Sequence, residues 1–248
     1  MTKYAYKTAM VLFTALLFVS CEKIEGEGGT STICGTIIEE VYNDDFSVMV
    51  ETAPVQDYDV FIIYGDGEAV GDKVETSPTG YFEFPYLHEG TYQVYYFSKD
   101  KQNPQDDKKE VLLEVSVGRG EKKDLGTFNT YSSADFDDGK ASIKGTVYEI
   151  NYSKNSLWPN MIAIDTVLAV EQAVYLQYGD HLYYDERIRT IGDGTFCFPN
   201  LIPGTYKVFV YSDDLKGSSQ MQTILQTITI SSNTATTHTL PDFYIGDF

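Results

Sequence analysis

Thr79–Asp100 reads TGYFEFPYLHEGTYQVYYFSKD, and Asp193–Asp214 reads DGTFCFPNLIPGTYKVFVYSDD. At a constant offset of 114 residues Phe82, Phe84 and Pro85 match Phe196, Phe198 and Pro199. Leu87, Gly90, Thr91, Tyr92 and Val94 match Leu201, Gly204, Thr205, Tyr206 and Val208 in the same register. The match reaches back to VFIIYGD (Val60–Asp66) and VYLQYGD (Val174–Asp180). At an offset of 110 it includes CGTII (Cys34–Ile38) and KGTVY (Lys144–Tyr148). So many positions in register are a duplication, and each copy of about 100 residues is long enough to fold alone.

Within a copy the pattern has period two. Phe82 and Phe84 flank Glu83, and Tyr92, Val94 and Tyr96 alternate with Gln93, Tyr95 and Phe97. That alternation predicts strands with one face buried. Leu87 and Leu201, apolar residues inside polar turns, are expected to close the ends of their sandwiches. Gly, Asp, Asn and Pro punctuate about seven strands per copy, with almost no helical periodicity after residue 21. The expected fold is all-β: two tandem seven-stranded antiparallel sandwiches with Greek-key connections. The expected domains span 33–130 and 142–248. The join at 131–141 falls in NTYSSADFDDGKAS (Asn129–Ser142), which has no apolar periodicity.

The motif G-x-F-x-F-x-x-L-x-x-G-x-Y-x-V follows a V-x-(I/L)-x-Y strand and an opening I-x-G-T strand. It is similar to the carboxypeptidase regulatory-like domain, a transthyretin-like sandwich grouped with collagen-adhesin B-type repeats and starch-binding-like folds. The resemblance implies such a sandwich over 33–128 and again over 143–243, and says little about function, because this fold hosts many roles. Some collagen-adhesin repeats close a Lys–Asn isopeptide bond with a glutamate from G-x-Y-x-L-x-E. That position is Tyr96 in the first copy and Val210 in the second, so no such cross-link is expected. The catalytic metal motif of the zinc carboxypeptidases is absent, and the chain ends in PDFYIGDF rather than the Tyr-Arg-Gly-Ser of transthyretin-like hydrolases. With no G-x-S-x-G nucleophile motif either, no catalytic residue is expected and the protein reads as non-enzymatic.

At the other end, Lys3 and Lys7 precede AMVLFTALLFVS, an apolar run that stops at Cys21. It falls short of the roughly 20 residues that a spanning helix needs, so residues 1–20 read as a signal peptide. LFVSC (Leu17–Cys21) resembles the lipobox of bacterial lipoproteins. That implies cleavage before Cys21 and attachment of acyl chains such as palmitate to it, each buried CH₂ adding about 0.8 kcal/mol of membrane affinity. Residues 21–32 are acidic and Gly-rich, which suits a flexible tether. Glu22, Glu25 and Glu27 resemble the tag that exports some Gram-negative lipoproteins to the cell surface. The expected location is the outer membrane facing the exterior, with a periplasm-facing anchor as the alternative.

The 248 residues carry 18 basic and 37 acidic side chains, a formal charge of −19. Nucleic acids and anionic headgroups are excluded as partners, because binding them relies on Lys and Arg neutralising phosphates. Cys34 and Cys197 are too few for a disulfide scaffold. Their counterparts are Lys144 and Glu83, which predicts both thiols at or near the surface. His88, His181 and His238 lie far apart. Asp135, Asp137 and Asp138 before Gly139 lack the later bidentate Glu of a calcium loop. No metal or cofactor is expected.

Twenty tyrosines exceed what two such cores need. Tyr95, Phe97, Phe209 and Tyr211 fall on the face opposite the core rows. Tyr175, Tyr183 and Tyr184 cluster in VYLQYGDHLYYDERIR near Asp180, Asp185 and Arg187, and Trp158 sits in the long NSLWPNM loop of the second copy. These eight are the candidate contacts for a protein partner or a glycan, with cross-strand pairing as the purely structural alternative. The expected function is a structural or protein-binding module. A glycan-binding accessory of polysaccharide uptake and a fimbrial or adhesin subunit are the rivals.

Overall fold

The computed structural model describes residues 25–103, 105–156, 158–216 and 221–247, so residues 1–20, expected to be a signal peptide, and Cys21 lie outside the described residues. Every regular element among the described residues is a strand. The first repeat contributes β1 (Glu27–Tyr42), β2 (Met49–Pro54), β3 (Asp59–Tyr64), β4 (Val70–Glu75), β5 (Tyr81–Leu87), β6 (Gly90–Ser98), β7 (Lys109–Val117) and β8 (Lys122–Ser133). The second contributes β9 (Ala141–Tyr152), β10 (Ala163–Leu168), β11 (Ala173–Tyr178), β12 (Glu186–Arg189), β13 (Thr195–Leu201), β14 (Gly204–Ser212), β15 (Gln222–Ile230), β16 (Thr237–Thr239) and β17 (Phe243–Asp247).

The two sets pair alike. In the first, β2, β1 and β5 form a sheet in that order, with β8 also on β1; a second sheet runs β4-β3-β6-β7. In the second, β10, β9 and β13 form a sheet with β16 and β17 also on β9, and the other sheet runs β12-β11-β14-β15. The registers coincide residue for residue. Gly35 opposes Phe82 and Cys34 opposes Glu83, just as Gly145 opposes Phe196 and Lys144 opposes Cys197. Each repeat therefore has eight strand positions rather than the expected seven, and the eighth is split into β16 and β17 in the second repeat. The backbone repeats its special conformations too. Gly80 and Gly194 take φ of 75° and 68°, and Tyr86 and Asn200 take 59° and 58°. At Gly80 a Cβ would fall 2.2 Å from the Ile37 carbonyl oxygen, so the turn into β5 excludes any side chain.

The chain forms two compact units. One comprises the described residues through Ile37 with Val55–Tyr96 and Glu110–Phe128; the other comprises Ile38–Pro54, Phe97–Lys109 and Asn129–Phe248. Each has its own core. In the first, Ile33, Ile37, Phe82, Phe84 and Leu87 pack against Val60, Ile62, Tyr92 and Val94. In the second, Ile143, Val147, Phe196, Phe198 and Leu201 pack against Val174, Leu176, Tyr206 and Val208. The alternating rows thus point inward as the sequence pattern requires, and Leu87 and Leu201 are fully buried.

Tyr92 and Tyr206 do more than fill space. Tyr92 Oη donates to the His88 carbonyl at 2.8 Å, and Tyr206 Oη donates to the Ile202 carbonyl at 2.9 Å. Each bond ties the start of an inner strand to the turn four residues upstream. Burial pushes both phenols above the usual tyrosine range, Tyr206 most strongly, so both stay protonated donors. Tyr206→Phe leaves a buried carbonyl without this donor and is expected to cost about 1–3 kcal/mol in urea unfolding. A loss below about 0.5 kcal/mol would show that the bond contributes nothing net.

One expectation is corrected. Cys34 is not near the surface: only 2% of it is exposed, while Cys197 is exposed. Both lie on outward positions of their strands, but Cys34 sits beside Tyr81 and Lys122, and the second repeat has the smaller Thr195 at the position of Tyr81. Both thiols are free.

Candidate functional site

The sheet β12-β11-β14-β15 of the second unit presents its outer face as a row of large side chains. In register across it stand Arg187, Tyr175, Phe209 and Leu225. The row forms because outward positions of neighbouring strands share one level of the pleat, about 5 Å apart. Tyr175 stacks on Phe209 with ring centroids 5.1 Å apart and planes at 9°. Tyr184 and Tyr211 meet Tyr175 edge-on at 5.0 and 5.3 Å. The Arg187 guanidinium lies 5.7 Å from the Tyr175 ring centroid, and its Nε donates to Tyr175 Oη at 3.3 Å. Such ring pairs contribute about 0.5–1.5 kcal/mol each beyond area burial, so part of this cluster is self-stabilising.

The loop between β11 and β12 sets the exposed edge of the cluster. The Asp185 carboxylate accepts from the Tyr178 backbone N–H at 2.6 Å and lies 2.7 Å from His181 Nδ1. The Asp185 backbone N–H donates to the Leu176 carbonyl at 2.8 Å, and the Gln177 amide donates to the His181 carbonyl. These bonds hold both ends of the loop. Leu182 is 91% exposed and Tyr183 80%, an arrangement that a solvated loop does not need.

The candidate residues separate into groups. Tyr175, Tyr184, Phe209 and Tyr211 come together in one cluster, with Tyr183 on the adjoining loop tip. Tyr95 is only 8% exposed and stacks on Phe61 at 4.9 Å. Phe97 and Trp158 are exposed, and the Lys216 ammonium lies 5.6 Å from the Trp158 ring centroid. Among the described residues no ring contact joins Trp158 to the cluster. Leu182 and Leu225 were not anticipated as contacts. Leu225 could have been found in QTILQTITI, where it falls on the outward phase with Thr223 and Thr227.

Residues 161–238, under a third of the chain but including this whole sheet, match the family model described as polysaccharide lyase family 4, domain II. No curated protein matches the chain. Among solved structures it is similar to the minor pilin GBS52 of Streptococcus agalactiae, at 11% identity and a TM-score of 0.29, covering 88% of this chain and 96% of the pilin. It is similar to the Bacillus anthracis TIE protein at 13% identity and a TM-score of 0.28, covering 84% of this chain. It spans only about a third, 34%, of that protein's length. A fimbrial protein from Bacteroides ovatus matches at 8% identity and a TM-score of 0.23, covering 89% of this chain and 50% of the other. Likeness at this level assigns no activity.

Proposed function

We propose that the protein is a non-enzymatic lipoprotein of the outer membrane that binds a protein partner through the aromatic face of its second unit. Both repeats are carboxypeptidase regulatory-like domains on this reading. Residues 1–20 direct export and acylated Cys21 holds the chain at the cell exterior. The observation that carries the reading is the contiguous face of Tyr175, Tyr184, Phe209, Tyr211 and Leu225, extended by Leu182 and Tyr183. Exposed apolar surface of this kind marks binding sites, and tyrosine is enriched where proteins meet. The faces of Tyr175 and Phe209 are spent on each other and on Arg187, so the cluster offers ring edges and apolar side chains, which suit a protein surface.

In-cell crosslinking of intact cells, combined with protease shaving, tests location and partner together. Tyr183→Ala with Tyr184→Ala is expected to reduce the crosslinked partner at least tenfold at unchanged protein level. An unchanged crosslinking pattern sinks the proposed face. Cys21→Ala is expected to release the protein from the membrane fraction, and retention there would sink the anchor.

One observation favours a second reading. The matched family model describes a domain of polysaccharide-cleaving enzymes, which supports a glycan ligand stacked on Tyr183 and Tyr184. Saturable binding on a glycan array, lost with those two substitutions, would select that reading over the protein partner.

A further inference from the structure

The duplication supplies an internal comparison, because one place in the fold is filled in the first unit and open in the second. On the outer face of β1 and β5, Tyr81 Oη donates to Glu83 Oε2 at 2.6 Å, and Lys122 Nζ donates to Tyr81 Oη at 3.0 Å. Lys122 also stands 3.5 Å from Glu83 Oε2, and the buried Cys34 lies next to Tyr81 and Lys122. The matched positions on β9, β12 and β13 carry different chemistry. Thr195 stands for Tyr81, Cys197 for Glu83, Lys144 for Cys34 and Arg189 for Glu75.

At these positions the second unit has a cavity of about 680 Å³. Its apolar wall is Phe196, Ile188 and Ile191, threonine hydroxyls line its rim, and its two charged lining residues are Lys144 and Arg189. No carboxylate of the described residues lines it. Arg189 is partly engaged, since its Nη1 donates to the Glu171 carbonyl at 2.5 Å and its Nε stands 4.0 Å from the Glu171 carboxylate. Lys144 pairs with no carboxylate among the described residues. In a chain of formal charge −19, a cavity with two cations and no anion is a local inversion of the field. The volume falls within the roughly 300–1,000 Å³ of small-molecule sites, and a mostly apolar lining with a few polar groups is their usual composition.

We propose that this cavity binds a small organic anion, with an apolar ring or chain against Phe196, Ile188 and Ile191 and a carboxylate facing Lys144. The site is distinct from the aromatic face and does not depend on it. It has grown from a position that the first repeat closes with its own side chains.

Cys197, free and exposed in the cavity lining, reports occupancy, and buried Cys34 serves as a check that each variant is folded. The test is the rate of Cys197 alkylation by iodoacetamide in the full chain, read by mass spectrometry at that residue. Millimolar naphthalene-2-carboxylate is expected to slow the reaction at least tenfold. The uncharged naphthalene-2-carboxamide is expected to slow it less than twofold. Lys144→Glu should abolish the protection. Thr195→Tyr restores the residue of the first repeat, and should itself slow alkylation and remove the dependence on added carboxylate. An alkylation rate indifferent to the carboxylate overturns the site. Equal protection by the carboxamide, or protection that survives Lys144→Glu, overturns the assignment of an anion.

Discussion

Phe198→Ala is expected to cost about 3–5 kcal/mol of unfolding free energy, and Phe84→Ala a similar amount. Both rings are among the largest fully buried side chains of the protein. Phe198 lies 5.9 Å from Phe196, and Phe84 lies 6.2 Å from Phe82, each pair meeting edge-on. Alanine removes the ring's transfer free energy and also leaves a void whose walls are strands tied by ladder hydrogen bonds, which limits their collapse. The cost should therefore sit well above the transfer value alone. Urea unfolding followed by near-ultraviolet circular dichroism measures it. Cys197 and Glu83, one residue away on the opposite face, supply the contrast: Cys197→Ala and Glu83→Ala should each change stability by less than about 1 kcal/mol. If the Phe changes prove as mild as these, the assignment of strand faces is wrong.

This contrast shows what kind of feature the sequence made legible. Alternation at Phe82–Phe84 and Phe196–Phe198 reports a face, because a strand has only two, and the repeat reports it twice. The inner rows, the turn glycines and the buried Leu87 and Leu201 followed from that. What lies on the outer face was less legible, because period two says which way a side chain points and not what stands over it. Cys34 and Cys197 have the same phase, yet Cys34 is buried beside Tyr81 and Lys122 while Cys197 is exposed. Tyr95 and Phe209 also share a phase, but Tyr95 is buried against Phe61 while Phe209 joins a wide cluster. The cluster was legible only in part. Tyr175, Tyr183 and Tyr184 are close in sequence, whereas Leu225 reaches Phe209 through strand pairing that no short window contains. The cavity at Lys144 and Arg189 was invisible in either copy alone, since it consists of differences between them.

Gly139→Ala is expected to destabilise the second unit by about 3 kcal/mol, near the upper end of the usual overpacking range. In the sequence Gly139 lies in a polar stretch that reads as a join, where alanine ought to be harmless. In the fold it lies flat against the backbone of the turn after β13. A Cβ there would fall 2.1 Å from the Leu201 carbonyl oxygen and 2.3 Å from the Ile202 backbone nitrogen. Neither is the tip of a flexible side chain that can swing aside. The Gly139 backbone N–H also donates to the Asn200 carbonyl at 2.6 Å, so moving the chain away sacrifices that bond. The displaced turn carries Leu201, which closes the sandwich end, and the Ile202 carbonyl that receives Tyr206, so the strain reaches the core. The same contact recurs at Gly29, whose Cβ would fall 1.9 Å from the Leu87 carbonyl oxygen, which predicts a comparable penalty for Gly29→Ala. Gly192 is the control: a Cβ there meets nothing within 4 Å, and Gly192→Ala should stay within about 0.5 kcal/mol. Equal stabilities for Gly139→Ala and Gly192→Ala in urea unfolding would refute the close approach. A large loss confined to Gly29 and Gly139 would show that each repeat is sealed by a backbone contact too tight for any side chain, the tightest constraint this duplication has kept.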